Sequence, residues 1–148
     1  MRTLLIASDH AGFKLKEILK THASELGVSF VDLGTYSEES VDYPDYAQIL
    51  AKRLFEMGPD QNLGILICGS GVGVSIAANR FPQIRAVLAE SEEVAKLGRE
   101  HNHANILCLG SRIVSPEKAL NILKTFLTTA EDPGPRHLRR IQKLGESC

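Results

Sequence analysis

Five short runs of mostly apolar residues, at 4–7, 28–33, 63–67, 84–89 and 104–109, alternate with segments of helical spacing along the whole chain. Each run is too short for a buried helix and has the length of a strand. After the first, Leu15, Ile18, Leu19, His22 and Leu26 repeat on one helical face, and Gly27 ends that helix. After the second, Pro44 suits a first helical turn, with Ala47, Leu50, Ala51 and Leu54 on the inner face. Ser91, followed by Glu92 and Glu93, and Ser115-Pro116-Glu117 are two further helix starts. Asp132-Pro133-Gly134-Pro135 is a turn before a final basic helix. Strands that alternate with helices form a parallel sheet covered on both faces. Right-handed crossovers then predict one doubly wound, Rossmann-like α/β domain over 1–148, five-stranded and parallel. An order of 2-1-3-4-5 would bring the loops after the first and third strands together at a switch point, where ligands bind in such sheets.

Composition narrows the functional classes. The chain has 148 residues, 43% hydrophobic, which suffices for one ordinary core. Seventeen basic and 18 acidic residues give a net charge of −1, without a long basic block. Nucleic acid and anionic membranes are therefore not expected partners. The apolar runs are far shorter than a bilayer span, and no signal peptide is visible after Met1-Arg2-Thr3. Three widely spaced cysteines fit a reducing compartment better than a disulfide framework, so a cytoplasmic location is expected. No His/Cys cluster has zinc spacing, and neither a metal nor another cofactor is expected.

The chemistry concentrates after the third strand, in Cys68-Gly69-Ser70-Gly71-Val72-Gly73. A thiol at a strand-to-helix turn meets the positive end of a helix and free backbone N–H groups, both of which favour thiolate. Cys68 is thus a candidate base or nucleophile beside an oxyanion site. Cys108, within Ile106-Leu107-Cys108-Leu109, reads as core, and Cys148 as a disordered, inert terminus. The glycines do not fit a dinucleotide fingerprint, because its third glycine position is Val74 and the motif follows the wrong strand. A Walker A loop is excluded, since no Gly-Lys-Ser/Thr follows.

Asp9-His10 ends the first strand and either caps the next helix or handles protons on a polar substrate. His101-Asn102-His103 closes a helix, where an imidazole also suits the helix dipole. Arg136, Arg140 and Lys143 share one helical face, which is either a solvated basic surface or an anion site. Leu138, Ile141 and Leu144 give that helix an apolar stripe, so it is expected to dock on a neighbouring subunit or on the site.

Together these motifs resemble the ribose-5-phosphate isomerase type B family, which includes galactose-6-phosphate isomerase subunits. The resemblance rests on Ser8-Asp9-His10-Ala11-Gly12, Asp32-x-Gly34, Asp42-Tyr43-Pro44, the run from Ile67 to Asn79, Ile84-Arg85-Ala86, His101-Asn102, Gly110-Ser111-Arg112 and Arg136-His137. It implies an aldose–ketose isomerase acting through an enediolate, with Cys68 as base. It further implies that the amides from Gly69 to Gly73, Gly71 and Val72 included, hold the oxyanion and that Ser70 shuttles protons. Asp9 and His101 would assist ring opening. His10, Arg136 and Arg140 would grip the phosphate with help from Arg112, and Asn102 would contact the sugar. The family pairs into homodimers, sometimes tetramers, so His101, Asn102 and Arg112 are expected from a partner subunit. Ser70 stands where many members carry threonine. The substrates it implies are ribose 5-phosphate and ribulose 5-phosphate; the alternatives are a hexose 6-phosphate, a nucleotide-binding module without catalysis, and a thiol redox protein using Cys68.

Overall fold

The computed structural model describes residues 1–146; Cys148 lies outside the described residues. The elements in chain order are β1 (Arg2–Ser8), α1 (Phe13–Lys20), α2 (Ala23–Leu26), β2 (Val28–Asp32), α3 (Tyr43–Met57), β3 (Leu63–Cys68), α4 (Val72–Ala78), β4 (Ala86–Leu88), α5 (Glu92–Asn102), β5 (Ile106–Gly110), α6 (Pro116–Thr128) and α7 (Pro135–Leu144). All five strands run parallel in one sheet. The doubly wound α/β architecture is the one expected.

Two apolar layers sandwich the sheet. Leu15 and Leu19 of α1, Ala95 of α5, and Ala119, Ile122, Leu123 and Phe126 of α6 pack on one face. Ala47, Leu50, Ala51 and Leu54 of α3 and Val74 and Ala78 of α4 pack on the other. The Ser91 and Ser115 caps form as expected, their hydroxyls accepting from the amides of Val94 and Lys118. Two expectations are corrected. The single helix before Gly27 is broken at Thr21-His22 into α1 and α2. The strand order is β2-β1-β3-β5-β4 rather than 2-1-3-4-5.

The reversal of the last two strands follows from handedness. A right-handed crossover on one face of the sheet always steps in one direction. The α3 crossover (β2 to β3) and the α4 crossover (β3 to β4) lie on one face and both step away from the β2 edge. Because α5 buries Ala95 on the opposite face, its crossover must step back, which inserts β5 between β3 and β4. Burial agrees: all five residues of β5 are buried, whereas the three of β4 are half-buried at the edge. The Asn79 side chain covers part of that edge, accepting from the Ala86 amide (2.7 Å) and donating to its carbonyl (2.9 Å).

The crossovers leaving β1 and β3 go to opposite faces, so the switch point lies between these two strands. The register puts Ser8 beside Ile67 and Cys68 beside Gly110, which brings three strand ends to one level.

Candidate active site

Backbone hydrogen bonds knit the loops after β1, β3 and β5 into one floor. The Asp9 amide donates to the Ile67 carbonyl (3.2 Å), Ser111 N to Cys68 O (2.9 Å), and Arg112 N to Gly69 O (2.9 Å). The Ser111 hydroxyl donates to the Ala11 carbonyl (2.8 Å). Such approach leaves no room for a side chain at Gly12, where a Cβ would stand 2.5 Å from the Ile67 oxygen. At Gly71 the turn itself requires glycine, with φ at +78°.

Above this floor is an open cleft of about 510 Å³, lined by Asp9, His10, Ala11, Tyr43, Cys68, Gly69, Ser70, Val72, Gly73, Ile76, Arg112 and Ile113. That size suits a small polar metabolite. Cys68 is 4% exposed, and the Gly71 amide donates to its Sγ at 3.2 Å. Val72 N donates to the Ser70 hydroxyl at 3.2 Å. The amides of Ser70 and Gly73 have no hydrogen-bond partner among the described residues. They are therefore free to receive an anion at the start of α4. Asp9, nearly buried, accepts from the Gly12 amide at 3.0 Å. The N-cap of α1 is Gly12, without a side-chain cap, so Asp9 braces the turn before the helix and also faces the cleft. The Nδ1 of His10 accepts from the Val41 amide at 3.1 Å, so the neutral ring carries its proton on Nε2.

Cys108 is different. Complete burial pushes its thiol far above the ordinary value, and nearby Cys68 adds to the effect. It is a neutral core residue, as its apolar strand suggested.

The remaining candidates stand elsewhere. His101 of α5 stacks on His137 of α7, with ring centroids 4.5 Å apart and planes within 9°. Asn102 lines a separate depression of about 440 Å³ with Asn79, Gly98 and Leu144. Arg136 and Arg140 are exposed on α7. None of these four lines the Cys68 cleft of its own chain. Arg112, expected from a partner subunit, instead lies in the chain's own cleft, because the Arg112–Gly69 backbone bond holds it beside the glycine loop.

Two residues carry site functions that the sequence reading did not give them: Tyr43, quoted in the Asp42-Tyr43-Pro44 motif without a role, and Lys16. Tyr43 walls the cleft, its ring so close to the glycine loop that a Cβ on Gly73 would be 2.5 Å from it. Lys16 is fully buried beneath the loop 33–42 and bonds to Asp32 Oδ1 (2.6 Å) and to the Thr35 carbonyl. Burial alone would push the Asp32 carboxyl up. The hydrogen bonds from Lys16 and Lys20, aided by the Gly34 amide, outweigh it and hold Asp32 below the usual carboxylate range. Lys16 is buried beside Leu15 and Leu19, whereas Ile18, expected on that face, is 39% exposed; the helical pattern read from the sequence did not mark Lys16 as inward-facing.

The profile of the ribose/galactose isomerase family matches residues 4–144 of this chain. The chain belongs to that family. Among its relatives is ribose-5-phosphate isomerase B of Escherichia coli, 44% identical over 144 residues, covering 97% of this chain and 95% of the relative. The fold is similar to the crystal structure of a ribose 5-phosphate isomerase from Thermotoga maritima, with a TM-score of 0.93, 49% identity and 99% coverage of both chains. It is also similar to ribose-5-phosphate isomerase B from Mycoplasma genitalium, solved with bound ribulose 5-phosphate. There the TM-score is 0.89 and identity 44%, covering 96% of this chain and 93% of that one. Among the described residues no helix is long and apolar enough to cross a membrane.

Proposed function

We propose that this family member interconverts ribose 5-phosphate and ribulose 5-phosphate, with Cys68 as the base. The observation that carries the reading is one cleft that gathers Cys68, the free amides of the glycine loop, Asp9, His10 and Arg112. Its likeness to an isomerase solved with ribulose 5-phosphate supplies the substrate class.

In this reading the open-chain aldose places C2 near Sγ. The Cys68 thiolate takes the C2 proton, and the released electron pair forms the C1–C2 double bond while the C1 carbonyl oxygen becomes the enediolate oxyanion. The amides of Ser70 and Gly73 stabilise that oxyanion. The Ser70 hydroxyl carries the proton from O2 to O1, and Sγ returns its proton to C1, giving the ketose. Asp9 and His101 assist opening of the furanose. His10 and Arg112 hold the phosphate from one side, Arg136 and Arg140 from the other, and Asn102 contacts the sugar.

The last set of residues requires a second copy of the chain. His101, Asn102, Arg136 and Arg140 belong to α5 and α7, away from the cleft. The cleft rim carries the exposed apolar side chains of Val72, Ile76 and Ile113, and the α5–α7 side carries Leu97, Leu138 and Leu144. A homodimer that joins these surfaces would complete two shared sites and give α7 its docking partner. The setting is cytoplasmic.

The family embraces ribose and galactose chemistry, so a hexose 6-phosphate is the second reading. Parallel assays with ribose 5-phosphate, allose 6-phosphate and galactose 6-phosphate separate the two. The expected result is the highest kcat/KM for ribose 5-phosphate. A higher value for either hexose phosphate selects the second reading, and turnover of none overturns both.

A further inference from the structure

We propose that Lys16 is a positioning residue for sugar-phosphate binding, acting through the loop 33–42 to set the orientation and tautomer of His10. The inference rests on the reading of the cleft as a phosphosugar site.

A lysine on the buried face of α1 needs an explanation, because an ammonium taken out of water is costly unless it is fully paired. The Lys16 ammonium is 0% exposed. It donates to Asp32 Oδ1 (2.6 Å) and to the Thr35 carbonyl, and lies 5.6 Å from the Phe13 ring centre and 5.2 Å from that of Tyr36. Asp32 is held in turn by Lys20 (2.7 Å) and by the Gly34 amide (2.9 Å). A leucine or methionine could fill the same space, so packing alone does not call for the charge. What the charge does is fix the backbone where it leaves β2.

From that point the restraint reaches the cleft by short steps. Ser8 N donates to Gly34 O and Thr35 N to Ser8 O, both at 2.7 Å, which joins the loop to the residue before Asp9. At its other end the loop donates Val41 N to His10 Nδ1. Between these anchors, residues 37–40 are exposed and their ion pair, Lys14 with Glu38, is solvated at 3.4 Å. Lys16 is thus the buried anchor at one end of a loop whose other end determines which His10 nitrogen carries the proton. With Nδ1 occupied as an acceptor, Nε2–H is the donor left for a phosphate oxygen.

Two substitutions test the connection from opposite ends. Lys16→Met keeps the bulk and removes the ammonium. Val41→Pro removes the amide that addresses His10. Each is expected to raise KM for ribose 5-phosphate about tenfold, the worth of one hydrogen bond to a charged group, with kcat changed by less than about twofold. The double variant should be no worse than the weaker single variant, because both break one connection. In ¹⁵N spectra of His10, the unprotonated, hydrogen-bonded Nδ1 of the parent should give way to mixed tautomers in both variants. Multiplicative kinetic effects, or a Lys16→Met protein with unchanged His10 nitrogens, would overturn the proposal. If Lys16→Met does not fold, unchanged KM and unchanged His10 nitrogens in Val41→Pro overturn it alone. If the parent does not turn over ribose 5-phosphate, the functional reading fails, while the His10 spectra still decide the connection.

Discussion

Replacing Gly71 by alanine separates two costs built into the glycine loop. The first is conformational: at φ +78° an L side chain costs about 1–2 kcal/mol. The second is steric. A Cβ on Gly71 would stand 2.5 Å from Leu88 Cδ1, 2.9 Å from the Leu109 carbonyl carbon and 3.1 Å from the Gly110 amide nitrogen. The leucine methyl can move, but the other two atoms are backbone of the central strand β5. Overpacking of this kind costs about 1–3 kcal/mol. The expected total for Gly71→Ala is therefore about 2–5 kcal/mol. Gly27→Ala supplies the control, since Gly27 has φ +67° and nothing within 4 Å of the added Cβ. It should lose only the conformational part, about 1 kcal/mol, partly offset by the stiffer unfolded chain. Urea unfolding at one fixed protein concentration measures both, with the slope m unchanged. If the two variants lose the same stability to within about 0.5 kcal/mol, the packing of the loop against β5 is not as described.

A site shared between two copies, as proposed, would give subunit complementation. Cys68→Ala and His101→Ala should each be inactive, while a refolded equal mixture should recover about a quarter of parent activity through heterodimers with one intact site; no recovery would place all the residues in one chain's site. Arg112→Ala should raise KM for ribose 5-phosphate by roughly tenfold or more, and Michaelis kinetics that show an unchanged KM would remove Arg112 from the phosphate. Because Asp32 is depressed in the folded state, its contribution is fully present above the ordinary carboxylate pKa near 3.8 and is lost as pH falls through the lower folded value. Acid unfolding followed by circular dichroism should accordingly be less steep in Asp32→Asn; identical acid limbs would contradict the pairing with Lys16 and Lys20. In the core, Phe126→Ala should cost about 3–5 kcal/mol in urea unfolding, since the ring is fully buried against the sheet.

The alternating pattern was sufficient for the sheet, its parallel sense and the meeting of the first and third loops. Ser91 and Ser115 marked their helix starts because a cap needs only local chemistry. The order of the last two strands was different. It depends on the face that α5 covers, and Ala95 could have packed on either side. The unbroken apolar run of β5 against Arg85 at the start of the β4 region was the available clue, since a central strand is buried on both faces and an edge strand is not. At the candidate site, the meeting of Cys68, Asp9 and His10 was legible because glycine-rich strand ends leave few ways to arrange them, whereas Arg112 was assigned to the partner subunit and lies in the chain's own cleft. The place of Tyr43, quoted only as a motif residue, and the burial of Lys16 were not legible. Each residue reaches the cleft or its supporting loop from an ordinary helix position, and only tertiary contact shows where the side chain goes.

In the proposed reaction Cys68 moves a proton between two carbons of a phosphopentose. The most direct measurement is deuterium incorporation at C1 of ribulose 5-phosphate and C2 of ribose 5-phosphate in D₂O, followed by proton NMR with the parent and with Cys68→Ala. Exchange is expected at both carbons with the parent and should be lost in a folded Cys68→Ala protein, together with isomerisation. Exchange at the parent rate in Cys68→Ala would contradict the proposed role of Cys68 and assign the base to another group of the cleft.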